Sequence, residues 1–218
     1  MRIFAGFALA LAASVAALPV RASEPPQYAQ PGHWSCLLLQ AQGPVYMTAL
    51  FDLQAWPDQI GNAFEQFLMA KYGAKGKPSC SMAYLSGSTL AKLRADQKSY
   101  AAQLRQAGRT VVETGWVYDP ATATLPYFCY AGAKVSESGQ IKNYLYMTHP
   151  FTVAGTAAGK LDAAWLAYFK AQHPGIYPVQ QDCAILPADP AARPAYMNRY
   201  ADRWRASGAE IVTVDWKP

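Results

Sequence analysis

Apolar residues recur along this chain with two alternating periods, and the alternation runs through the same series twice. Trp34 to Gln40 and Val45 to Leu53 are short apolar runs around the turn residues Ala41-Gln42-Gly43-Pro44, which predicts two strands. Ile60, Phe64, Phe67 and Leu68 follow at helical spacing behind Pro57 and Asp58, which suit a first turn, and Gly73 ends that segment. Cys80 to Leu85 predicts a third strand. Leu90, Leu93, Gln97, Tyr100, Ala101 and Leu104 then keep a 3.6-residue period, with Ser88 as the expected cap and Gly108 as the natural stop. Thr110 to Tyr118 predicts a fourth strand.

The second half repeats the series. Tyr127 to Ala133 and Lys142 to Thr148 read as strands around a polar loop, Lys134 to Gln140. Trp165, Tyr168, Phe169 and Ala171 overlie Phe64, Phe67, Leu68 and Ala70 at one constant offset. Cys183 opens a strand to Leu186, and Asp189 with Pro190 offers a cap and first turn. Tyr196, Met197, Tyr200, Ala201 and Trp204 make the next buried face, Gly208 ends it, and Glu210 to Trp216 closes the series. Val45-Tyr46-Met47-Thr48-Ala49-Leu50-Phe51 returns as Leu145-Tyr146-Met147-Thr148-His149-Pro150-Phe151. The expected fold is therefore α+β: a tandem duplication of a ββαβαβ unit, with helices on one face of a mostly antiparallel sheet and one disulfide per unit. The expected boundaries are a signal peptide over 1–22, an extended leader over 23–33, a first repeat over 34–120 and a second over 121–218.

The N-terminal pattern changes the compartment. Arg2, an apolar run from Ile3 to Leu18, Pro19 and the small-residue stretch Val20-Arg21-Ala22 read as a cleavable secretion signal, too short in its apolar run for the roughly 20 residues of a spanning helix. An exported protein, periplasmic or extracellular, with no membrane span after cleavage is the expectation. Cys36, Cys80, Cys129 and Cys183 fit an oxidising space. Four cysteines allow three pairings, and the repeat favours Cys36 with Cys80 and Cys129 with Cys183.

Charge adds little. The chain's formal +5 becomes +3 once Arg2 and Arg21 leave, with 17 basic and 14 acidic side chains remaining. That lacks the concentrated basic stripe nucleic acid requires. Gly73-Ala74-Lys75-Gly76-Lys77-Pro78-Ser79 lacks phosphate-loop spacing and reads as a basic surface loop, while Ser86-Gly87-Ser88 is no nucleophile elbow. His33, His149 and His173 show no ligand spacing, so neither metal nor cofactor is expected, and no catalytic constellation stands out.

The aromatic stock is the remaining candidate chemistry. Tyr46 and Thr48, with Tyr146 and Thr148, share a strand face by period two, and Trp116 and Trp216 lie near element ends. These six are the expected candidate binding surface. The run from Cys80 through the Leu90–Leu104 helix to Trp116 resembles half of a SPOR domain, a small α+β module that binds denuded septal peptidoglycan. The family's Gly-Pro-Phe strand ending is replaced by Ala83-Tyr84-Leu85-Ser86 and Leu186-Pro187-Ala188-Asp189, so no binding residues carry over. The leading expectation is a non-enzymatic exported binding protein whose partner is an envelope glycan or another envelope or secreted protein. The narrower version is a peptidoglycan or polysaccharide binder; the rival is a hydrolase with its site between the two units.

Overall fold

A computed structural model describes residues 32–53, 55–83 and 89–218. The expected signal peptide, nearly all of the leader and the expected cap Ser88 lie outside them. Within them the chain is mixed α+β, with two five-stranded sheets, five helices and two disulfides, one in each half.

In the first half, β1 (Gly32–Leu39) is central, with β4 (Ser79–Ala83) on one side and β2 (Val45–Thr48) and β3 (Phe51–Leu53) on the other; β5 (Val111–Thr114) runs parallel to β2. In the second half, β6 (Thr124–Glu137) takes the place of β1, flanked by β9 (Pro178–Ile185) and by β7 (Gln140–Thr148) with β8 (Phe151–Ala154); β10 (Glu210–Val214) runs parallel to β7. Helices α1 (Pro57–Tyr72) and α2 (Leu90–Gln106) belong to the first half. A short α3 (Gly155–Ala158), then α4 (Leu161–Gln172) and α5 (Arg193–Arg205), belong to the second.

The registers agree residue by residue. Leu37 faces Met47 as Tyr130 faces Met147, Trp34 faces Phe51 as Tyr127 faces Phe151, and Tyr46 faces Val112 as Tyr146 faces Val212. Cys36 lies opposite Cys80, and Cys129 opposite Cys183; both pairs are bonded as the repeat favoured.

Two features differ from expectation. The strand expected over Val45–Leu53 is two strands, so the order is βββαβαβ. Between the pairs Trp34–Phe51 and Leu37–Met47, two residues of β1 oppose three of its partner, and the same mismatch recurs between Tyr127–Phe151 and Tyr130–Met147. An extra residue interrupts the ladder. The threonine of each Tyr-Met-Thr triplet repairs it, Thr48 Oγ1 accepting from the Cys36 N–H at 3.0 Å and Thr148 Oγ1 from the Cys129 N–H at 2.9 Å.

The second difference corrects the packing. The helices lie on both faces of each sheet, not on one. Cys129, Ala131 and Tyr146 pack with Trp165 and Phe169 of α4, whereas the alternate residues Phe128, Tyr130, Leu145 and Met147 pack with α5. Successive side chains of a strand point to opposite faces, so α4 and α5 sandwich the sheet. In the first half, α1 buries Ile60, Phe64 and Leu68 against Cys36, Leu38 and Tyr46, and α2 lies over the Met47 side, where its Gln97 Nε2 donates to the Thr48 carbonyl at 2.6 Å. Helical periodicity fixes which side of a helix is apolar but not which face of a sheet it covers.

The helix stops were legible. Gly73, Gly108 and Gly208 all have positive φ, at 64°, 77° and 76°. The cap of α2 is Thr89, whose hydroxyl accepts from the Lys92 N–H, and Asp189 caps the 3-10 turn Pro190–Ala192. The expected polar loop over 134–140 is instead a tight turn at Ser138-Gly139 that lets β6 and β7 run on.

Candidate functional site

The six residues of the expected surface are not gathered on one. Tyr46, Thr48, Tyr146 and Thr148 are buried, at 6, 1, 7 and 1% exposure. Trp116 is half-buried against Phe51, Phe64 and Phe67, and Trp216 against Phe151, Trp165 and Tyr168. In both halves the triplet and its tryptophan serve the core. The histidines have equally local places: His33 pairs with Asp52 across β1 and β3, His173 stacks on Tyr146 and Phe169, and His149 is exposed.

One opening lies between the halves. Helix α1 carries a polar stripe beside its apolar face, Gln59, Asn62 and Gln66, spaced so that all three fall on one side. This stripe is the seam. Asn62 Nδ2 donates to the Leu186 carbonyl at 2.6 Å, Gln66 Nε2 to the Thr124 carbonyl at 3.0 Å, and Gln59 Nε2 reaches the Tyr127 hydroxyl at 3.4 Å. Gln59 and Asn62 are buried, so the amide N–H groups that they donate across the seam lose these partners if the halves separate.

Beside the seam is a cleft of about 490 Å³, within the usual range for small-molecule sites. One wall is Asp58, Glu65 and the segment Lys77–Cys80; the other is Ile185–Pro187 with Tyr196 and Arg199 of α5. Burial raises the Glu65 carboxyl above its ordinary value; the Ala188 N–H, donating to it across the seam, pulls it back, Asp189 pushes it further up and Lys77 lowers it. The Tyr196 hydroxyl is pushed up to about 12, by burial first, then its hydrogen bond with Tyr200, with Asp58 adding and Arg199 opposing. The Arg199 guanidinium stands 5.1 Å from the Tyr196 ring centre, within cation–π range. The cleft thus sets two carboxyls against two cations over a floor of proline, leucine and tyrosine, a lining suited to holding a polar ligand.

Sequence reading missed these residues because they come from segments far apart in the chain, from Asp58 on α1 to Arg199 on α5. The glycine-lysine loop was read as plain surface, yet it delivers Lys77, Pro78 and Ser79 to the cleft. The one available signal was the Gln59-Asn62-Gln66 stripe. Among the described residues no group of three or more histidine, cysteine, aspartate or glutamate side chains could hold a metal ion, and no helix is long and apolar enough to cross a membrane. No protein-family model, no curated protein and no solved structure matches the chain.

Proposed function

We propose that this is an exported, non-enzymatic binding protein, made by tandem duplication of one disulfide-stapled unit (34–120 and 121–218), that holds its ligand in the cleft between the units. The observation that carries this reading is the cleft itself, with its floor and its opposed charges drawn from both units. Matched strand registers, matched cysteine pairs and matched threonine repairs support the duplication. The paired disulfides and the apolar N-terminal run support export.

The rival hydrolase needs an acid pair or a histidine beside a nucleophile. No histidine lines the cleft. Asp58 and Glu65 stand seven residues apart on α1, and Lys77 and Arg199 share the lining with them, charges that a polar ligand can bridge. Binding is favoured over bond cleavage. The test is co-purification of the mature protein with envelope and medium fractions, comparing wild type with Arg199→Glu. A glycan or protein ligand retained by the wild type and lost in the variant is expected. Absence of any retained species, or equal retention by the variant, would remove the cleft reading. Cosedimentation with purified sacculi examines the narrower peptidoglycan or polysaccharide reading.

A further inference from the structure

The two units treat the second face of their sheets differently. In the second unit that face is sealed by aromatic side chains: Phe128 and Tyr130 from β6 meet Tyr200 at 5.3 Å each, and Tyr196 adds a ring 5.6 Å from Tyr200. Trp204 closes the end by lying on Gly132, where a Cβ would fall 1.9 Å from the indole. The shared register gives the counterparts in the first unit. Ser35 stands for Phe128, Leu37 for Tyr130, Asp96 for Tyr196, Gln97 for Met197 and Leu104 for Trp204.

Those replacements leave a groove of about 310 Å³ between α2 and the sheet, lined by Ser35, Ser79 and Ser81, by Asp96, Gln97 and Tyr100, over Leu37 and Met47. A second hollow of about 240 Å³ adjoins it through Met47 and Gln97. Three strand positions of this groove are serine, Ser35 half-buried and Ser79 and Ser81 exposed, so their hydroxyls are open to a ligand. Among the described residues none of the three hydroxyls bonds to another protein group. Gln97 commits its amide N–H to Thr48, leaving its oxygen as an acceptor. The Tyr100 ring is 40% exposed at the rim.

We propose that this groove binds a neutral saccharide. A sugar ring has a polar rim of hydroxyls and an apolar C–H face. Serine hydroxyls donate and accept, the Asp96 carboxylate and the Gln97 oxygen accept, and Tyr100, Met47 and Leu37 supply apolar surface for the C–H face. Lys92 Nζ pairs with Asp96 Oδ2 at 2.7 Å and offsets its charge, which leaves the other carboxylate oxygen as an acceptor without a net charge to recruit an ionic occupant, and the hydroxyls disfavour a purely apolar one. This inference rests on the reading as a binding protein but not on the cleft, which uses other residues.

The test is an amide NMR titration of the mature, oxidised protein with chitotetraose, cellotetraose and maltotetraose in turn. At least one sugar is expected to shift Ser35, Leu37, Met47, Ser81 and Gln97. Installing the second unit's residues, Ser35→Phe with Gln97→Met, is expected to weaken that binding at least tenfold, and Tyr100→Ala at least threefold. The exposed Tyr100 variant preserves the test if the double substitution fails to fold. No response to any of the three sugars overturns the groove. So do shifts confined to Tyr196, Arg199 and Glu65, an outcome that would leave the cleft reading standing.

Discussion

Helices α2 and α5 occupy the same place in two sheets of identical register, and they pack in opposite ways. Over α5 the second sheet presents Phe128 and Tyr130 to Tyr196, Tyr200 and Trp204, a continuous aromatic layer. Under α2 the first sheet presents Ser35 and Leu37; each helix has one buried residue, Ala101 in α2 and Ala201 in α5, and the difference lies in the half-buried rings that flank Ala201. The opposite face of each sheet is dense, with Phe64 under α1 and Trp165 under α4 both fully buried. One side of each unit therefore supplies its stability, and the other side is free to be closed or opened. A few different side chains on a matching backbone register separate a sealed face from an open groove.

The largest effect to expect belongs to what the halves share. The disulfides close loops with sequence separations of 44 and 54 residues, for which chain-entropy arguments give about 4 kcal/mol each. Cys36→Ala with Cys80→Ala, and Cys129→Ala with Cys183→Ala, should each lower stability by nearly that amount in chemical denaturation. A cost confined to one half would break the equivalence.

The next effect should fall on one half only. Gly132→Ala places a methyl inside the Trp204 ring and should cost about 1–3 kcal/mol by overpacking. Its counterpart Leu39 is 52% exposed, so Leu39→Ala should change stability by less than about 0.5 kcal/mol. Thermal unfolding of the two variants measures the contrast directly.

The bulge repair should again be symmetric. Thr48→Val and Thr148→Val each strand a buried cysteine N–H, a loss of about 1–3 kcal/mol. Equal shifts in the denaturation midpoint are expected, and a silent Thr148→Val would mean the two interruptions are not equivalent.

The smallest effect is a pH slope. Burial, then the charge of Asp182, raises the Asp162 carboxyl, against the pull of the Cys183 N–H. The folded state then holds a proton that the unfolded chain has released, so stability falls as pH rises from the ordinary carboxylate value through the raised one. Asp162→Asn should flatten that slope in denaturation midpoints taken from about pH 4 to 7. The matched position in the first half is Gly61 on α1, which carries no carboxyl.

Much of the scaffold was legible in the sequence. Cysteine order, glycine stops and the returning triplet pointed to the mixed α+β class, the helix ends and the disulfide pairing, because these depend on local chemistry. The break inside Val45–Leu53 was hidden, since an apolar run does not reveal a register mismatch, and the short α3 has too little pattern to register. The faces of the sheets were misjudged for a geometric reason: an amphipathic helix covers either side equally well. Tyr46 and Tyr146 looked like surface because tyrosine carries a polar tip, yet both rings lie against α1 and α4 or the residues that end them. The cleft was invisible because Arg199 joins Glu65 and Lys77 only where the two halves dock through Asn62 and Gln66.

Native-state hydrogen exchange of the oxidised protein tests the contrast between the two halves most directly. Helices with few buried contacts open at low free energy. The amides of α2 should exchange at least tenfold faster than those of α5, with α1 and α4 similarly protected. Equal protection of α2 and α5, or slower exchange in α2, would contradict the account of one sealed face and one open groove.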